Sequence, residues 1–182
     1  ATWAEVTPNL GWLLLGSLFA AALVNAGPIT VDILGHDAPP ELVTRFGNAV
    51  IFARIPLFLF QAVQAALLPR LARLAAQRKL SEFKRGLRQL LILVGTVGVL
   101  GTIGAFALGP WVLELVYEGG IDRRTMTLLA FASALYMLAL AIAQAVIALN
   151  GHARVAVGWC AGFATFAIVA WLSSNDLYLR VE

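Results

Sequence analysis

Arg54 stands in the run Ile51, Phe52, Ala53, Arg54, Ile55, Pro56, inside an apolar stretch that opens at Gly47. An arginine is always charged, and its planar fork of N–H donors matches a phosphate or a carboxylate. Holding that charge at the middle of a membrane helix costs roughly 3 kcal/mol or more, so such a residue faces a bundle interior or a water-filled cavity. On one continuous helix, Gly47, Arg54 and Gln61 fall within about 20° of a common line, and Gln64 lies about 80° to one side. Arg54, Gln61 and Gln64 are therefore candidate substrate-binding residues for a phosphate-bearing anion. The alternative for Arg54 is a structural ion pair with Asp32. Arg45 points the other way on that helix and reads as an interfacial anchor.

A second polar set lies in "VNAGPITVD". Asn25 and Asp32 share a face if the helix continues through Gly27-Pro28. If it breaks there, Asn25, Thr30 and Asp32 could serve a coupling cation or proton. The competing reading is a capped helix end with Asp32 in the interface. Pro56 removes one backbone hydrogen bond and predicts a kink just after Arg54. Ser133, Tyr136 and Gln144 are the main polar groups of an alanine-rich segment; Gln144 reads as a hydrogen bond between helices, with membership of a polar pathway as the alternative.

The elements that must carry these residues follow from composition. Of 182 residues, 60% are hydrophobic and 13% charged, and the mean hydropathy is +0.85. A soluble domain carries about twice that charge fraction. Five apolar stretches approach the roughly 20 residues that a helix needs to cross a bilayer: 10–31, 47–68, 90–108, 126–149 and 153–172. They are continuous runs rather than alternating ones, which favours helices over barrel strands. The expectation is an all-α integral membrane protein with a single helical lobe over 1–182. The first stretch lacks a basic n-region and reads as a span, not a signal peptide.

Charge sets the orientation. The connection 69–89 carries Arg70, Arg73, Arg78, Lys79, Lys84, Arg85 and Arg88 against Glu82 alone. The first connection has Asp37 and Glu41 and no Lys or Arg, and the third, with Glu114, Glu118, Asp122, Arg123 and Arg124, is mixed. The positive-inside rule puts the basic loop 69–89 in the cytoplasm, together with Arg154 and the N-terminus of the segment. Trp3 and Trp12 would then lie near the inner surface, and Trp111 and Trp171 near the outer one.

Several functions are disfavoured. The lone cysteine, Cys160, cannot form an intrachain disulfide. His36 and His152 fall in different loops, so no metal site is expected. No Walker A or other Gly-rich phosphate loop is present, and no cofactor is expected. Nucleic acid is not an expected partner, since the basic run is short and tied to membrane spans; membrane lipid is. Gly95, Gly98, Gly101 and Gly104, and the pair Gly158 and Gly162, read as close-packing positions. An enzyme is not expected, although His36, Asp37 and Glu41 would be its acid-base candidates in a membrane glycan transferase. An odd number of spans and no clear internal repeat suggest part of a larger assembly.

Three stretches together resemble a known family. "RFGNAVIFARIPLFLFQAVQAALLPRLARLAAQRKLSEFKRGLRQL", with its P-x-L-x-x-L element at Pro69–Leu74, resembles the eighth helix and following loop of polysaccharide-type lipid flippases. These belong to the multidrug, oligosaccharidyl-lipid and polysaccharide exporter superfamily. "GPWVLELVYEGGI" resembles the end of the ninth helix, and "AQAVIALNGHARVAVGW" the turn between the tenth and eleventh. The resemblance implies helices seven to eleven of a two-lobed transporter, with the N-terminal lobe as a missing partner. It implies a substrate, a polyprenyl-pyrophosphate-linked glycan, moved across the cytoplasmic membrane. Arg54 is the residue that best fits the cationic cavity of such proteins. A drug/cation antiporter of the same superfamily is the nearest alternative, and it would require membrane-embedded carboxylates.

Overall fold

The computed structural model describes residues 3–34, 40–117 and 122–172. All secondary structure among them is helical: α1 (Trp3–Leu34), α2 (Pro40–Ala53), α3 (Ile55–Ala76), α4 (Leu80–Tyr117), α5 (Arg123–Ala148) and α6 (His152–Leu172). Four of these, α1, α4, α5 and α6, are long and apolar enough to cross a membrane. Leu14, Leu18, Leu100, Ile103, Leu115 and Ile168 are all more than half exposed. Apolar surface on that scale needs lipid or protein to cover it. The all-α membrane class expected from composition is the one observed.

The element boundaries differ from the expected spans in three places. First, α1 runs unbroken through Gly27-Pro28. A proline deletes one hydrogen bond, which neighbouring helices can compensate in a membrane bundle. Second, the stretch 47–68 is divided at Arg54, which is a turn residue with φ −91° and ψ −6°. Pro56 lies in the first turn of α3 and has no N–H to offer Phe52. The Arg54 N–H is shared between the carbonyls of Val50 (3.1 Å) and Ile51 (3.2 Å), and regular bonding resumes with Phe58 N–H to Arg54 O. Third, most of 69–89 is helix rather than loop. Helix α3 continues to Ala76 and α4 starts at Leu80.

The turn between them is built by the backbone. Arg78 takes a left-handed φ of 57°. Lys79 N–H then reaches Leu74 O (3.0 Å) and Arg78 N–H reaches Ala75 O (3.0 Å), the paired bonds that close a helix C-terminus. Asn150, with φ 62°, ends α5 in the same way, through Gly151 N–H to Val146 O and Asn150 N–H to Ile147 O. At the other end of α5, the Asp122 carboxylate accepts the Arg124 N–H at 3.0 Å and caps the helix.

Helices α3, α4 and α5 form one packed unit, with Leu57, Phe60, Phe83, Leu90, Ala134 and Met137 in its core. A second cluster joins α1, α2, α4 and α5 through Val31, Phe46, Leu113 and Met126. Helix α1 lies along α6, with Phe19 and Phe163 rings 5.8 Å apart. The glycine stripe of α4 is only partly used. A Cβ on Gly98 would meet Ala134 Cβ at 2.7 Å, whereas Gly95 and Gly104 face open space. In the α1–α6 seam the close approach is Gly16 against Ala156, where a Cβ on the glycine would stand 3.4 Å from the Ala156 Cα, while one on Gly158 would meet nothing.

Candidate functional site: an arginine-bearing cleft

The turn at Arg54 sets the guanidinium toward α1. Its Nη1 donates to Asn25 Oδ1 at 3.4 Å, and its Nη2 donates to the Val24 carbonyl. Asn25 is in turn held by its own helix, with Nδ2 donating to Ala21 O at 2.8 Å. Both acceptors are neutral. Guanidinium has five N–H donors, and those not engaged by α1 have no acceptor among the described residues. No carboxylate among the described side chains, which do not include that of Asp32, pairs with Arg54 either.

Arg54 lines a cleft of about 460 Å³ between the α1–α6 pair and the elements α2, α3 and α5. Val24 and Gly27 on α1, Leu57 on α3, Ser133 and Tyr136 on α5 and Trp159 on α6 are among its walls. The Tyr136 hydroxyl donates to the Ala20 carbonyl at 3.0 Å, and its ring lies 5.4 Å from that of Trp159. Tyr136 therefore ties α5 to both α1 and α6. The cleft is an apolar space with one fixed cation and two hydroxyls at its walls. A guanidinium surrounded by aliphatic and aromatic side chains interacts with an entering anion more strongly than one in water does.

The sequence-derived candidates separate here. Arg54 and Asn25 are brought together. Gln61 is exposed and Gln64 half-buried, and neither lines the cleft. The seven-residue spacing defines a common line only on one continuous helix, and that helix is divided at Arg54. The Asp32 side chain, and His36 and Asp37, lie outside the described residues. Glu41 is exposed in the first turn of α2. The sequence marks Tyr136 only as one of the polar groups of its segment and does not single out Trp159; a Tyr and a Trp on alanine- and glycine-rich helices are the available signal. No group of three potential metal ligands occurs among the described residues.

No family model, curated protein or solved structure matches this chain.

Proposed function

We propose that this chain is part of a transporter that flips polyprenyl-pyrophosphate-linked oligosaccharide or polysaccharide precursors across the cytoplasmic membrane. The observation that carries the reading is Arg54: a permanent cation in an apolar cleft, held by two neutral acceptors on α1. A pyrophosphate supplies the negative charge and the acceptors that the unengaged N–H groups need, while a prenyl chain suits the apolar walls. The resemblance of residues 45–90, 109–121 and 143–159 to polysaccharide-type lipid flippases supports the same reading. The chain would form most of a C-terminal lobe and work against an N-terminal lobe across the cleft. The basic α3–α4 turn and the N-terminus of the segment would face the cytoplasm. The antiporter alternative is less favoured, since the five apolar stretches contain no Asp or Glu and Asp32 stands just beyond the end of the first.

The test is polyprenyl-pyrophosphate binding by the full-length protein in detergent, wild type against Arg54→Gln. The expected result is salt-sensitive binding that the substitution weakens about ten-fold or more, or about 1.4 kcal/mol, within the range for a charged hydrogen bond. Equal binding by both, with the variant less stable, would make Arg54 a structural tie between α2–α3 and α1.

A further inference from the structure

We propose a second binding site, for the headgroup of an anionic phospholipid, in the groove between the end of α3 and the start of α4. This site is separate from the Arg54 cleft and does not depend on the transport reading. The groove measures about 520 Å³ and is lined by Arg70 from α3 and by Glu82, Arg85, Gln89, Leu90 and Leu93 from α4. Gly86 is another lining residue, and a Cβ there would stand 3.0 Å from Leu71 Cδ2, so the two arms approach closely at this point. Glu82, also a lining residue, lies 4.0 Å from the Lys79 ammonium, which offsets part of its charge. Arg70 and Arg85 have no carboxylate partner among the described residues.

The shape selects a lipid over a soluble anion. From Arg85 to Leu93 the groove follows α4 for about 12 Å. It passes from the charged turn onto a helix apolar enough to span a membrane. At its deep end, Ile92 beside it is 58% exposed and Leu93 44% exposed. Helix α4 is about 57 Å long, far beyond the roughly 30 Å of a hydrocarbon core, so its basic first turns stand at the headgroup level. Arg70 and Arg85 hold the phosphodiester, Gln89 donates to the ester or glycerol oxygens, and the acyl chain lies along Leu93 and the exposed Ile92 beside it. A free phosphate would leave the apolar end unused, and an acidic peptide would have to enter lipid to fill it.

The experiment reconstitutes the full-length protein in phosphatidylcholine vesicles and reads motional restriction of spin-labelled phosphatidylglycerol, with spin-labelled phosphatidylcholine as reference. Wild type should favour phosphatidylglycerol about five-fold or more, the factor expected from about 1 kcal/mol at one interfacial arginine. The pair Arg70→Gln with Arg85→Gln should abolish that preference. The pair Lys84→Gln with Arg88→Gln removes the same charge from exposed positions outside the groove and should keep it. Equal loss in both pairs would reduce the effect to diffuse surface attraction and overturn the site, as would full retention in the first pair. Competition on wild type alone gives an independent reading: glycerol phosphate should not release the labelled lipid. Its release at comparable concentration would make the groove a site for soluble phosphate instead.

Discussion

Helices α4 and α5 pack directly on one another, whereas α1 faces α5 across an open cleft. Where α4 meets α5, Gly98 sits on Ala134 with no room for a methyl group. Ala134, Met137, Ala141 and Ala145 extend the dry contact along α5. Where α1 meets α5, the contact is a tyrosine hydroxyl on a backbone carbonyl, and beside it a cleft of about 460 Å³ stays open around an arginine. The first seam is fixed by shape. The second is fixed by a few polar ties beside an open space. Helices that meet through small residues gain packing over their whole length, whereas single interhelical hydrogen bonds in membrane proteins average about 0.6 kcal/mol. The second is therefore the weaker of the two connections.

The contrast can be broken by filling the dry seam. Gly98→Leu should destabilise the protein by about 1–3 kcal/mol through overpacking, measured as thermal unfolding in detergent. Gly104→Leu, facing open space on the same helix, should leave it nearly unchanged, and equal effects would remove the distinction. A smaller effect is expected at the open seam. Tyr136→Phe keeps the ring against Trp159 and deletes only the bond to Ala20, for a loss of about 0.6 kcal/mol. A loss as large as that of Gly98→Leu would mean that this seam is not held by separate weak ties. The smallest effect belongs to Asn25→Ala. Its 3.4 Å bond to Arg54 is beyond ordinary hydrogen-bond length, so stability should fall by no more than about 0.5 kcal/mol. The same variant should leave the Arg54 guanidinium freer to bind an anion.

How much of this was legible in the sequence depends on the range of the interaction. Helix class and most spans followed from continuous apolar runs: α5 and α6 lie within a few residues of the stretches 126–149 and 153–172. The basic connection 69–89 reads as a loop by charge, yet most of it is helix, because charged residues on exposed positions cost a helix little and Leu71, Phe83 and Leu90 bury its inner face. Arg54 stands out by chemistry alone. Its partners do not, because a backbone carbonyl such as that of Val24 has no sequence signature. The alignment with Gln61 and Gln64 assumed a straight helix, and Pro56 with the turn at Arg54 undoes that assumption. Tyr136 lies 116 positions from the carbonyl it binds, a pairing that only the tertiary placement of α1 across the cleft from α5 creates.

The most direct test of the cleft as the substrate site uses a single reporter in its wall. Cys160, exposed and free, and every other cysteine of the full-length protein are replaced by Ser, and Ser133 in the cleft wall is changed to the reporter cysteine (Ser133→Cys). The rate of maleimide labelling is then measured in the full-length protein with and without saturating polyprenyl pyrophosphate. Occupancy of the cleft predicts labelling slowed about ten-fold or more, the shielding that roughly 1.4 kcal/mol of lost access represents. An unchanged rate with the lipid demonstrably bound would place the substrate elsewhere and contradict the account.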